Sequence, residues 1–206
     1  MELDTRRQRQ PHDEPRKPRG VYAAAARMTS WSPRIATSHD VPAIAALMDR
    51  AIHELMTSFL SPAEVEASVE VMGLDTQLIA DGTYFVVEDG PRLVGCGGWS
   101  RRATLYGGNH TTGRSDALLD PATEPARVRA MYTDPAYARR GIGRVVLETC
   151  EQAARDAGFQ HAELAATLAG VPLYRVAGYA RIENIARATS SGITVPLVRM
   201  RKSLAR

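Results

Sequence analysis

A chain of 206 residues, 44% of them hydrophobic and 24% charged, can bury a sizeable core and is ordinary in composition for a globular protein. No apolar run approaches the ~20 residues that span a bilayer, and the charged N-terminus lacks the apolar stretch of a signal peptide. Membrane and secreted classes are therefore set aside, and a cytoplasmic location is expected. The net charge of +3 resides between residues 1 and 31, where seven Arg or Lys accompany four acids; residues 32–206 balance, which argues against specific nucleic-acid binding.

Residues 1–31 mix Pro, Arg, Gln and an Ala run without periodicity. They read as a disordered basic tail, with Met28 as an alternative start, and leave 32–206 as the folded domain. A short strand is expected near Arg34–Thr37. "SHDVPAIAALMDRAIHELM" follows as a helix, with Asp40 as its N-cap, Pro42 in the first turn and an apolar stripe from Ile44 to Met56. "SPAEVEASVEVM" begins a second helix, with Ser61 and Glu64 spaced as a capping box. "TYFVVEDGPRLVGCGGWS" reads as a hairpin, and Gly95, Gly97 and Gly98 in its second strand suggest a bulge or a close backbone approach. Residues 101–125 form a long polar loop. "ARVRAMYT" is a strand, "GRVVLETCEQAARDAG" a helix ended by Gly158, "HAELAAT" a strand and "GVPLYRVAG" a short helix. "YARIENIARA" and "TVPLVRMRK" complete the pattern as two strands. Cys96 and Cys150 match no metal-ligand or disulfide spacing and read as small core residues, so no metal is expected.

The chemistry concentrates at Ala138-Arg139-Arg140-Gly141-Ile142-Gly143-Arg144, between a strand and a well-patterned helix. Unpaired N–H groups and the positive dipole end of a helix favour an anion there, and glycines allow it to approach the backbone. An ATP-type phosphate loop would need a Lys followed by Ser or Thr, and neither is present. A dinucleotide fingerprint would need a third glycine at the position of Val146.

The run Tyr132-Thr133-Asp134-Pro135 through Arg139-Arg140-Gly141-Ile142-Gly143 closely resembles the acetyl-CoA-binding segment of the GNAT superfamily of N-acyltransferases. That family's signature there is [Gln/Arg]-x-x-Gly-x-[Gly/Ala], and Ala138 stands at its Gln/Arg position. The stretch "TLAGVPLYRVAGY" resembles a second family segment: Leu173-Tyr174 and Gly178-Tyr179 match, while Thr167 replaces Asn and Gly170 replaces Ala. "PRIATSHDVPAIAALM" also looks like the family's first strand and helix. The resemblance spans residues 33–202. It implies an α+β fold with a central, mostly antiparallel mixed sheet of about six to seven strands, flanked by helices, with a splayed strand pair for acetyl-CoA.

The activity so implied is transfer of an acetyl group from acetyl-CoA to a primary amine by direct attack. The alternative is a catalytically silent acyl-CoA-binding sensor or interaction module. In the enzyme reading Met131, Tyr132 and Thr133 contact the pantetheine arm. Arg139, Arg140, Gly141, Ile142, Gly143 and Arg144 hold the pyrophosphate, and Thr167 and Tyr174 are further acetyl-CoA contacts. Tyr174 is the general acid, since a phenol with a pKa near 10 can protonate a leaving thiolate. Glu124 is the candidate base, with a water relay or uptake of free amine as alternatives. Arg127 or Arg129, if turned into the cleft, would favour an anionic acceptor. His110, Asp116 and Asp120 lie in the long loop, and Trp99 and Tyr106 flank the same region, with Trp99 read as a core residue. The acceptor is a small-molecule or peptide amine, and the resemblance allows a homodimer.

Overall fold

Residues 31–205 are described in a computed structural model; of the tail read from residues 1–31, all but Trp31 lie outside the described residues. Trp31, assigned above to that tail, packs against the domain core. Strand β1 (Arg34–Ile35) leads into helix α1 (Val41–Leu55), whose stripe Ile44, Leu47, Met48 and Ile52 is buried. Asp40 precedes α1 but does not cap it. Its carboxylate turns back to accept from the Thr37 N–H at 2.7 Å and pairs with Arg34 at 2.8 Å, closing a 3-10 turn over Ser38–Asp40. Helix α2 (Pro62–Val71) has the expected capping box: the Ser61 N–H donates to Glu64 at 2.8 Å, and Ser61 Oγ accepts from the Glu64 N–H. Such caps contribute about 1 kcal/mol. Helix α3 (Thr76–Ala80) was not expected; its five residues are too few to carry a periodic signal, and Asp75 caps it.

The hairpin is β2 (Tyr84–Asp89) and β3 (Arg92–Ser100), and β4 is Ala126–Thr133. Helix α4 (Ile142–Asp156), β5 (His161–Thr167), α5 (Val171–Val176), β6 (Ala180–Ala188) and β7 (Thr194–Ser203) follow. The seven strands form one sheet in the order β1-β2-β3-β4-β5-β7-β6, antiparallel except for the parallel pair β4–β5. The fold is therefore the α+β arrangement read from the sequence. Alternation along the strands divides the core. Val128, Leu164 and Val198 face α4, whereas Val86, Leu93 and Cys96 pack with α1 and α3.

Two departures from regular pairing matter for the site. β4 and β5 are paired only through Ala126–Ala162 and Arg127–Glu163; beyond these residues the strands part. Cys96 pairs with Tyr132 and Gly98 with Arg129, so Gly97 faces both Ala130 and Met131. This bulge puts Ala130 at φ 51°, a left-handed conformation that costs an alanine about 1 kcal/mol or more. A side chain at Gly97 would overlap Met131 Sδ and Val146, so the glycine is what lets the bulged strand and α4 close on β3. The Tyr84 hydroxyl, deep in the other half of the core, donates to the Ala130 carbonyl at 2.8 Å and holds the bulge.

Candidate active site

The opening between β4 and β5 leaves the β5-facing backbone groups of residues 128–133 without a strand partner. Across the bulge the side chains resume alternation on the opposite phase: Met131 lies toward α4, and Tyr132 lies among the residues packed under α1. Burial pushes the Tyr132 phenol well above its ordinary value, helped by the neighbouring Cys96 thiol and Tyr174 phenol. Thr133 ends the strand with its Oγ1 beside Gly143, where Leu173 of α5 also arrives. The structure thus brings together the end of β4, the first turn of α4 and the start of α5.

The loop into α4 is shaped by two left-handed residues, Arg139 at φ 64° and Gly141 at φ 84°. A Cβ at Gly141 would meet nothing within 4 Å, so conformation and not space selects glycine there. Ile142 is buried and presses on Gly95 of β3, which fixes the helix start; its role is anchorage through the side chain. Val145 N–H is the first in this stretch to find a helical acceptor, Gly141 O, at 3.1 Å. The N–H groups before it point out of the helix end, the arrangement that binds a phosphate. Arg139, Arg140 and Arg144 are exposed around this end. Arg144 pairs along the helix with Glu148 at 2.7 Å, while Arg140 lies over the Tyr137 ring at 4.8 Å.

Three groups that sequence patterning overlooked brace this loop. The Trp31 indole N–H donates to Arg140 O at 3.0 Å, and its ring meets Tyr137 edge-on at 6.1 Å. Asp134, almost wholly buried, accepts from Arg92 at 2.8 Å, Arg50 at 3.0 Å and the Ala136 N–H at 3.0 Å. Burial alone would raise its pKa, but the two guanidiniums outweigh that and hold it below the usual carboxylate value. Arg92 stacks over the Tyr137 ring as well, at 5.5 Å.

Tyr174 sits in α5 against Gly170 and makes an edge contact with Tyr179 at 5.9 Å. Its hydroxyl makes no hydrogen bond among the described residues, and burial raises its pKa. It therefore stays protonated through the physiological range. Thr167, at the end of β5, acts locally, its Oγ1 accepting from the Gly170 N–H at 3.2 Å.

Glu124 is not brought to this place. It is exposed two residues before β4, its carboxylate accepts from the Asp120 N–H at 2.8 Å, and Thr133 is nine residues away, roughly 25–30 Å along a strand. Nor do Arg127 and Arg129 offer free charge to a cleft. Arg127 pairs with buried Glu163 at 2.6 Å, and Arg129 pairs with buried Asp75 at 2.6 Å and donates to Gly107 O at 2.7 Å. Trp99 is a core residue, packed edge-on against Phe159 at 5.9 Å.

A parted strand pair ending on a glycine loop at a helix N-terminus agrees with comparison at the family level: the model of the Acetyltransferase (GNAT) family matches residues 48–179. The chain belongs to the GNAT acetyltransferase family. GNAT acetyltransferases are acyltransferases that use acetyl-CoA. No curated protein matches the chain in sequence. Among solved structures, a GCN5-related N-acetyltransferase from Rhodopseudomonas palustris is similar, with a TM-score of 0.63 at 18% identity, over 85% of this chain and 97% of that one. A PaiA N-acetyltransferase from Thermoplasma acidophilum, in complex with coenzyme A, gives 0.56 at 12% identity, over 84% and 99% of the two chains. A ribosomal-protein-alanine N-acetyltransferase from Brucella melitensis gives 0.56 at 17% identity, over 84% and 99%. At such identities these likenesses describe the GNAT fold.

Proposed function

We propose that the protein transfers the acetyl group of acetyl-CoA to a primary amine by direct attack. The observation that carries this reading is the parting of β4 from β5 immediately ahead of the Gly141 loop, which leaves a row of backbone groups running toward a phosphate-binding helix end. In this arrangement the pantetheine arm lies along Met131, Tyr132 and Thr133, and the pyrophosphate lies against the N–H groups of residues 139–144, with Arg139, Arg140 and Arg144 adding charge. A backbone N–H at the bulge polarises the thioester carbonyl, a fixed dipole where negative charge develops. The amine lone pair adds to that carbonyl, and the C–S bond then breaks as Tyr174 gives its proton to the departing sulfur. The amine proton leaves to water, from which the Tyr174 phenolate takes a proton back to close the cycle. Two buried, unpaired cysteines suit a reducing cytoplasm, and among the described residues no helix is long and apolar enough to cross a membrane.

Release of free thiol from acetyl-CoA over a panel of amines tests the reaction. Replacing Tyr174 with Phe is expected to lower kcat about ten-fold or more, with little change in acetyl-CoA affinity. Undiminished turnover in that variant would remove Tyr174 from the acid role.

A further inference from the structure

On the sheet face away from α4, the long connection between β3 and β4 folds back over β5, β7 and β6. Its Tyr106, like Ala165 of β5 and Ile185 of β6, packs against the cluster of Ala67, Val71, Val195 and Leu197, and the Arg129–Gly107 hydrogen bond pins the connection beside the bulge. Between this connection and β6 lies a pocket of about 410 Å³, lined among others by Thr104, Tyr106, Thr111, Arg114, Ser115 and Arg187. Most of these groups are already committed. Thr104 Oγ1 donates to Ser115 O at 2.9 Å, Thr111 Oγ1 accepts from the Gly108 N–H at 3.0 Å, and Arg114 is held by Asp75 at 2.8 Å and by Gly108 O.

Arg187 is different. Among the described arginines with no carboxylate of a described residue within 4.0 Å, it alone is half-buried; the others are exposed. No acidic residue lines the pocket, and Asp75 is shared between Arg114 and Arg129. A half-buried guanidinium with no carboxylate beside it among the described residues favours an anion, and its planar fork suits a carboxylate or phosphate.

We propose that this pocket receives the acceptor, and that the acceptor is a primary amine carrying an anionic group that Arg187 reads. The proposal rests on the acetyl-transfer reading above. Arg129, which pins the pocket's wall through Gly107, is the residue immediately before the bulged Ala130, so the pocket's wall adjoins the parted strands.

Matched amines test it: leucine, glutamate and lysine against their α-carboxamides, and O-phosphoethanolamine against ethanolamine. Wild-type protein is expected to favour the anionic member of at least one pair by about ten-fold or more in kcat/KM, and the responding pair tells carboxylate from phosphate. Arg187→Gln should erase that preference chiefly through KM while acetyl-CoA affinity stays unchanged, and Arg187→Lys should keep part of it. Calorimetric titration of the CoA-saturated protein with the same amines gives the comparison without turnover. Equal use of charged and neutral amines, a preference that survives Arg187→Gln, or anionic amines that bind neither protein would overturn the proposal. Failure of the protein to bind acetyl-CoA at all would instead overturn the reading on which it rests.

Discussion

Tyr174 shows how burial sets a residue's chemistry. Desolvation penalises the phenolate, so the side chain holds its proton above the ordinary tyrosine pKa of about 10. A proton donor with a raised pKa is lost only as pH climbs past the raised value. The kcat profile is therefore expected to rise as the acceptor amine deprotonates and to show no fall from Tyr174 below about pH 10. Measuring kcat from near-neutral to alkaline pH checks this; a decline beginning near neutrality that Tyr174→Phe removes would contradict it. The arginines teach the complementary lesson. Position on the strand before the loop made Arg127 and Arg129 look like acceptor contacts, but Glu163 and Asp75, far off in sequence, take up their charge. A charged side chain's role depends on its partners, and residue spacing along one strand does not reveal them.

Among the elements, the bulge in β4 is the most consequential departure from regularity, and it depends on β3. Gly97→Val would drive a branched side chain into Met131 and Val146. Overpacking of this kind typically costs about 1–3 kcal/mol, and here it would also displace the Ala130–Met131 step. The expected outcome is a lowered melting temperature together with a larger loss of acetyl-CoA affinity than the change in stability alone produces; full affinity in a folded variant would refute the coupling. The sequence carried part of this. Three glycines in an apolar strand gave notice of a bulge or close approach, and strand and helix periodicities gave the remaining order correctly. The left-handed Ala130 was invisible, because alanine has no preference for that conformation and the tertiary contact with Gly97 imposes it. Helix α3 was too short for a pattern, and the isolated Trp31 stood in a stretch with no periodicity at all. In the candidate site, the Gly141 loop and Tyr174 were legible because paired glycines and a Leu-Tyr step at a fixed distance from Gly178-Tyr179 leave a local mark. The bracing by Asp134, Tyr84 and Trp31 was not, since each acts across more than forty residues of chain.

At the level of the whole molecule, the described domain is held together by long-range ties that converge on two places, the glycine loop and the bulge in β4. Arg50 of α1, Arg92 of β3 and Asp134 join the first helix and the hairpin to the mouth of the glycine loop. Asp75, Arg114 and Arg129 tie the β3–β4 connection to the bulge. Glu163, buried and facing Arg127 at 2.6 Å and Arg199 at 2.8 Å, locks β4 to β5 and β7 at the last residues before the strands part. The parting is thus bounded by a charged rivet below and by the braced loop above.

The strap from Trp31 to the loop also makes the protein its own optical probe. The chain has two tryptophans. Trp99 is sealed in the core against Phe159, whereas Trp31 donates its indole N–H to Arg140, within the turn proposed to meet the pyrophosphate. Intrinsic fluorescence should therefore report loading of the loop. Adding CoA is expected to shift or quench a fraction of the emission in a saturable way, and Trp31→Phe should abolish the response while leaving the Trp99 signal. An unchanged titration in that variant would place the reporter elsewhere.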